Sequence, residues 1–185
     1  SPSGELLASV VTVGERRGLV ISRMSGDIQY TQSLGELKTQ GLNWAGENHL
    51  IVSVSSTQNL GFAYGGKFEL SNLMVVDVKK GETDWPLYGS KKVFNASFYT
   101  YLPVKADGEW YQCLATLPMN SSIHSGAVWI SGKELDLSCV DLNSGKRRVI
   151  ARGRRDGEGW AIAPGLTLLA YETYDDVKRK WQLKK

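Results

Sequence analysis

The side chains of this 185-residue chain whose types could perform catalysis do not form a recognised catalytic motif. His124 lies among Ser121, Ser122 and Ser125, which are the residue types of a nucleophile and its general base. No acid lies at a spacing that would orient the imidazole, and the G-x-S-x-G motif of α/β hydrolases does not occur. We therefore expect His124 to be an exposed loop residue, and we assign no catalytic residue.

Metal and cofactor chemistry has no better support in the sequence. The zinc-ligand types His49, Cys113, His124 and Cys139 lack the close spacing of a zinc site. The glycines at 153, 157 and 159 form neither a dinucleotide fingerprint nor a P-loop, because no helix follows to offer its N-terminus to a phosphate. We expect no metal site and no cofactor.

Two aspartates occupy matching places in similar segments. Asp77 lies in Val76–Glu82 and Asp141 lies in Val140–Lys146. Because an aspartate that recurs at one place in a turn commonly accepts backbone hydrogen bonds there, we interpret both as turn residues rather than as catalytic carboxylates.

The chain has one basic cluster, in a composition whose net charge is only +3. It comprises Lys146, Arg147, Arg148, Arg152, Arg154 and Arg155. These residues flank Val149–Ala151, where we expect the outermost strand of a sheet, and charges on an edge strand deter aggregation. A phosphate site is the alternative. A nucleic-acid partner is not expected, because such a surface would interleave aromatic residues with the basic ones.

The two cysteines are too few for a disulfide framework. Cys113 and Cys139 fall in different strands of one repeat and could be neighbours, but buried free thiols are the expected state. The pair leaves a cytoplasmic and a periplasmic location both open. No stretch approaches the ~18 apolar residues of a membrane helix, and we expect no membrane partner. The chain opens at Ser1–Gly4 in mid-motif, which suggests that the natural N-terminus is missing.

The elements that must position these residues are strands. The segment His49–Ser55 alternates, with Leu50, Val52 and Val54 on one face, which is the period of a pleated strand. The turn that precedes it recurs along the chain, with glycines at 4, 46, 108 and 165, each followed by a strand-like run. Repeats of several strands at such spacings are typical of β-propeller blades.

We therefore predict an all-β fold, a partial β-propeller of about four antiparallel four-stranded blades. The blades span approximately 1–36, 37–97, 98–155 and 156–185. The first lacks its innermost strand and the last lacks its outer strand, and no helix of useful length is expected. Long loops are predicted at 56–72 and 118–134. The outer strand of the second blade is predicted at Trp85–Tyr88, and the third blade is predicted to begin at Phe98.

Several segments resemble a known family. Gly41–Val54 (GLNWAGENHLIVSV) is similar to the blade opening x-x-W-x-G-D-D-R-L-L-V-S of the N-terminal propeller in bacterial prolyl oligopeptidase family serine peptidases. Leu73–Gly81, Leu137–Arg148 and Arg155–Trp160 resemble its later blades, and Ser1–Ala8 fits the TolB-type repeat S-P-D-G-K-x-I-A. Glu47-Asn48-His49 departs from the acidic pair of the family.

That resemblance implies a non-catalytic propeller fragment that caps a peptidase and limits access to its active site by size. The partners implied are a missing C-terminal α/β hydrolase domain, which would hold the catalytic triad, and the peptide substrates of the parent protein. The alternative is a stand-alone TolB-like or WD-like propeller that binds a protein or ligand on its loops. Open blade edges also predict a homodimer.

Overall fold

The computed structural model describes residues 1–59, 65–122, 124–125, 127–154 and 157–185. Its regular elements are strands, apart from one 3₁₀ turn at Pro164–Leu166. The all-β prediction is confirmed, and the described residues contain no helix that is long and apolar enough to cross a membrane. The chain forms two compact units, Ser1–Pro86 and Leu87–Lys185.

The first unit contains two antiparallel sheets whose strands neighbour one another in chain order. Sheet 1 comprises β1 (Leu6–Val13), β2 (Arg16–Arg23) and β3 (Ile28–Gly35). Sheet 2 comprises β4 (Lys38–Ala45), β5 (His49–Asn59), β6 (Lys67–Asp77) and β7 (Glu82–Asp84).

The second unit also contains two antiparallel sheets. Sheet 3 comprises β8 (Val93–Thr100), β9 (Val104–Ala106), β10 (Glu109–Ser121), β11 (Val128–Ile130), β12 (Asp136–Asp141) and β13 (Arg147–Ala151). Sheet 4 comprises β14 (Gly157–Ala163), β15 (Thr167–Asp175) and β16 (Lys180–Lys184). In sheet 3 the long strand β10 is central, with β8 and β9 on one edge and β12 leading to β13 on the other.

Each unit has a core between its two sheets. In the first unit, Leu19 and Ile21 of sheet 1 pack with Leu50, Val52 and Val54 of sheet 2, as the period-two pattern predicted. In the second unit, one face of sheet 3 packs with sheet 4 through a cluster that includes Tyr111, Cys113, Leu137, Cys139 and Trp160. Burial of these apolar side chains supplies the main favourable term in folding.

The repeated turns have repeated conformations. The glycine of the opening turn has a positive φ in all four repeats: 78° at Gly4, 64° at Gly46, 84° at Gly108 and 79° at Gly165. An L side chain rarely adopts this region, so the glycine is required by the turn.

The closing turns are held by aspartates, as predicted. The Asp77 carboxylate accepts the Lys80 N–H at 3.0 Å, and that of Asp141 accepts the Asn143 and Ser144 N–H groups at 2.9 and 3.0 Å. Burial raises the pKa of each carboxyl, but the pKa is lowered in both, because the backbone donors act together with the Lys80 ammonium at Asp77 and with the Ser144 hydroxyl and the Arg148 charge at Asp141. The Asp175 carboxylate accepts the Val177 and Lys178 N–H groups in a turn of the same kind.

Four predicted element bounds are wrong. The outer strand of sheet 2 is β7, because the backbone of residues 82–84 pairs with β6, whereas residues 85–88 form no strand. Residues 56–59 and 67–72 extend the β5–β6 hairpin instead of forming a loop, and β10 with β11 fills much of 118–130. Phe62 and Tyr64, named within the first predicted loop, lie outside the described residues. The third sheet begins at Val93 rather than at Phe98.

The expectation of free thiols is also wrong, because Cys113 and Cys139 form a disulfide. They are direct partners in the β10–β12 register, so their Cβ atoms point to the same face of sheet 3. Both are fully buried in the core against sheet 4. Cross-strand register, which the sequence does not display, brings the two residues together.

Reduction of this disulfide is expected to lower the free energy of unfolding of the second unit by about 3 kcal/mol, because the unfolded chain regains the entropy of an open loop. Urea unfolding followed by tryptophan fluorescence, with and without a reductant, measures the change. The double variant Cys113→Ala/Cys139→Ala is the control and should not respond to reductant. An unchanged midpoint for the wild type would contradict a stabilising cross-link.

A carboxylate in sheet 2 predicts a pH dependence. Glu69 accepts hydrogen bonds from Ser55 at 2.6 Å and Thr57 at 2.8 Å, and its Oε2 lies 3.0 Å from the Lys38 ammonium. The Ser55 hydroxyl, with Lys38 and Thr57, lowers the pKa of Glu69 from 4.5 to about 2. Since the pKa in the folded state is the lower one, this contribution to stability is present above pH 4.5 and is lost as the pH falls towards 2.

Glu69→Gln should therefore lose less stability than the wild type across this acid range. Melting temperatures of both proteins at several pH values between neutrality and pH 2 test this. Glu36→Gln, at an exposed position outside the Glu69 cluster, is the control. Parallel acid profiles for wild type and Glu69→Gln would show that the carboxylate does not act this way.

Candidate functional site

The structure does not bring the candidate catalytic and zinc-ligand residues together as a site. His124 lies in an exposed turn, and Ser122 accepts the Ser125 N–H at 3.2 Å. His49 is buried in the first unit, with its Nε2 3.8 Å from the Asp77 carboxylate. Within the described part of the chain, no group of three or more His, Cys, Asp and Glu side chains is placed to hold a metal ion.

The basic cluster lies on and beside an edge strand, as predicted, and its side chains do not all lie on one face of that strand. β13 is the last strand of sheet 3, and Arg148 lies with its guanidinium 4.9 Å from the centre of the Tyr111 ring. Arg154 lies 5.0 Å from the Tyr171 ring centre, and Arg155 falls outside the described residues. Arg147 and Arg152 instead line a cleft of about 570 Å³.

This cleft, the sheet 3 cleft, opens where the pairing of β10 changes. β12 pairs with β10 as far as Thr116↔Asp136, and β11 pairs with it from Met119↔Ile130 onward. The segment that connects β11 to β12 leaves the sheet at this point, and Ser131 donates its N–H and its hydroxyl to the Pro118 carbonyl, both at 3.0 Å. The cleft therefore lies beside a break in the sheet.

Strand register explains which side chains line the cleft. Thr116 faces Asp136, Ser138 faces Val149 and Val140 faces Arg147, and cross-strand partners share a face. This face is opposite to the one that carries the disulfide and packs with sheet 4. The cleft lining includes Pro118, Met119 and Val149 as apolar side chains, and Lys92, Glu134, Asp136, Arg147 and Arg152 as charged ones.

Asp136 organises the floor of the cleft. It is only 4% exposed, and its two carboxylate oxygens accept Arg152 Nη1 at 2.6 Å and the Gly153 N–H at 2.8 Å. The backbone at residue 153 can approach the backbone of Leu135 and Glu134 only because residue 153 is a glycine. A Cβ there would lie 2.5 Å from the Leu135 carbonyl oxygen and 2.8 Å from the Glu134 carbonyl carbon, which is a backbone clash.

Arg147 is the half-buried cation of the cleft. Its Nη1 donates to Ser138 Oγ at 3.0 Å, and Ser138 Oγ shares a 2.9 Å hydrogen bond with Thr116 Oγ1. Burial lowers the pKa of Arg147, the Asp136 charge opposes this and the Arg152 charge adds to it. The group stays protonated at neutral pH, since an arginine starts from so high a pKa.

Part of this network has a signal in the sequence that our predictions did not use. In β12, Asp136 and Ser138 alternate with Leu137 and Cys139, so polar and apolar side chains occupy opposite faces. That alternation could have placed Asp136 and Ser138 on one polar face. Thr116 and Gly153 carry no comparable signal, because their roles depend on cross-strand and loop contacts.

The fold and the site define a class of protein. Four antiparallel meanders follow one another along the chain, with β8 and β9 sharing the inner position in sheet 3, and the first and last have three strands each. This is the topology of propeller blades, so the chain is an all-β repeat protein with a propeller-type scaffold.

Comparison with known proteins assigns this chain to no family. No protein-family model and no curated protein matches the sequence. The structure of TolB from Acinetobacter baumannii gives a TM-score of 0.38 at 12% identity, over 95% of this chain and 47% of that one. A Synechocystis apocarotenoid oxygenase mutant gives 0.40 at 10% identity, over 97% and 46%. An ACO/RPE65 chimera gives 0.43 at 11% identity, over 97% and 45%. The chain spans less than half the length of these proteins, and scores this low assign no activity.

Asp136→Ala is expected to cost about 1–3 kcal/mol of stability, because it leaves the part-buried Gly153 N–H without its acceptor and removes a negative charge that offsets the burial of Arg147. The Arg152 side chain is 76% exposed, so Arg152→Ala should cost less than about 1 kcal/mol. Urea unfolding of the two variants compares them directly. Equal losses would mean that the ion pair, rather than the buried carboxylate, carries the effect.

Proposed function

We propose that the chain is a non-catalytic propeller segment that binds an extended polypeptide at the sheet 3 cleft. The observation that carries the proposal is the cleft itself, which lies beside an edge strand and sets three apolar side chains among charged and polar ones. Its volume of about 570 Å³ falls within the range of ligand pockets.

The edge strand favours a polypeptide as the ligand. β13 pairs with β12 along one edge, and its other edge has no strand partner in the described chain. Extended peptides add to such edges through main-chain hydrogen bonds, while neighbouring pockets select side chains. Val149 lies on β13 and also lines the cleft, so one strand offers both kinds of contact.

A narrower role is the gating cap of a prolyl oligopeptidase-type serine peptidase. It is supported by the blade motifs at Gly41–Val54 and Leu137–Arg148, and its partner would be a C-terminal α/β hydrolase domain acting on peptides. A G-x-S-x-G domain encoded after Lys185 in the same reading frame would support the cap, and its absence would leave the stand-alone scaffold. The homodimer through open blade edges stays a prediction.

Selection of random peptides displayed on phage tests the binding role without assuming a sequence. We expect enrichment on the wild-type chain and its loss on Val149→Trp, because an indole at this position would fill the cleft. Val177→Trp is the matched control, since Val177 is 94% exposed in a turn of sheet 4. It should enrich the same peptides as the wild type. No enrichment on the wild type, or identical enrichment on Val149→Trp, would overturn the proposal.

A further inference from the structure

We propose that the sheet 3 cleft recognises a carboxylate of its ligand through the guanidinium of Arg147. The inference rests on the proposed function, because it names the chemical group by which the cleft would select a peptide. Three features carry it: the contacts of Arg147, the charges around it and the rigidity of its support.

Arg147 has hydrogen-bonding capacity to spare. A guanidinium carries five N–H donors, and in the structure one nitrogen, Nη1, donates to Ser138 Oγ. Among the described residues, no carboxylate oxygen lies within the 4.0 Å ion-pair distance of Arg147. Asp136 is already engaged by Arg152 and by the Gly153 N–H. Arg147 is therefore a half-buried cation that lines an open cleft without a paired anion.

The charges of the lining favour a single negative charge. Lys92, Arg147 and Arg152 contribute three positive charges, while Glu134 and Asp136 contribute two negative ones, which leaves one positive charge. A carboxylate would balance it. A phosphate carries up to two negative charges and would meet the two carboxylates of the lining in a partly desolvated space, where like charges repel strongly.

The hydrogen bonds that hold Arg147 fix the direction of its guanidinium. Ser138 holds Nη1 at 3.0 Å, and Thr116 holds Ser138 through the 2.9 Å contact between their hydroxyls. Ser138 and Thr116 are fully buried in strands of the same sheet. A guanidinium held in this way can present its remaining donors to both oxygens of a carboxylate with little loss of side-chain entropy.

The experiment uses small probes with a terminal carboxylate, with a side-chain carboxylate or with neither. N-acetyl-alanyl-alanine carries a terminal carboxylate, its C-terminal amide carries none, and N-acetyl-glutamyl amide carries a side-chain carboxylate. Each is titrated into the ¹⁵N-labelled chain at constant ionic strength, and ¹H–¹⁵N spectra follow the arginine side chains and the Ser138 and Val149 amides. We expect saturable shifts at Arg147 with the carboxylate probes and none with the amide. The carboxylate probe that binds more tightly shows whether the cleft recognises a terminal or a side-chain carboxylate.

Variants separate recognition from folding. Arg147→Gln should weaken carboxylate binding by about ten-fold or more, the range expected for losing a hydrogen-bonded charge contact. Arg148→Gln is the matched control, because Arg148 is adjacent on β13 and contacts the Tyr111 ring on the opposite face. It should bind as the wild type does. Val149→Trp should block binding while leaving the cation in place, and melting curves verify that each variant folds.

Three results would overturn the inference. They are equal shifts with carboxylate and amide, unchanged carboxylate affinity in Arg147→Gln, or tighter binding of inorganic phosphate than of either carboxylate. Its failure is distinct from failure of the proposed function. If the wild type enriches peptides and Arg147→Gln enriches the same ones, only the carboxylate assignment fails. If the chain binds carboxylates but enriches no peptide, only the scaffold role fails.

Discussion

Backbone pairing along β10 is the interaction on which the second unit depends. This strand of Glu109–Ser121 hydrogen-bonds to β8 and β9 on one edge and to β12 and β11 on the other. Where the second edge passes from β12 to β11, the ladder is interrupted and side chains replace backbone partners. The polar network of Thr116, Ser138 and Asp136 lies at that interruption. One face of the same strand holds the core and the other holds the cleft, so fold and site share a single register.

The sequence predicted the features that local physics determines. The alternation at His49–Ser55 predicted the buried face of β5, and recurring glycines predicted turns that need a positive φ. The prediction failed where strands are polar. Residues 56–59 pair with 67–70, but their Ser, Thr, Gln and Glu side chains resemble those of a loop. Only cross-strand partners, such as the contact of Glu69 with Ser55 and Thr57, show that this segment is a hairpin.

The candidate site was predictable in composition but not in arrangement. The basic cluster and its edge strand could be inferred from the charges around Val149–Ala151. Strand alternation places Arg147 and Arg148 on opposite faces, but the sequence could not show which of them faces the cleft and which faces the core, since this depends on how β13 registers with β12. The pairing of Cys113 with Cys139 depends on register in the same way, and the clash that confines position 153 to glycine depends on a contact between two segments outside the strands.

The disulfide also has a mechanical consequence. Cys113 and Cys139 are separated by 26 positions in the sequence, and a covalent bond between them removes that segment from the length that can be stretched. If the chain is pulled from its ends, the force passes through the bond, and the residues between the two cysteines carry no tension. At up to ~3.6 Å per residue, the oxidised chain would extend roughly 90 Å less than the reduced one. The part of the chain shielded from tension includes most of the sheet 3 cleft, apart from Lys92 and the residues of β13 and the segment that follows it.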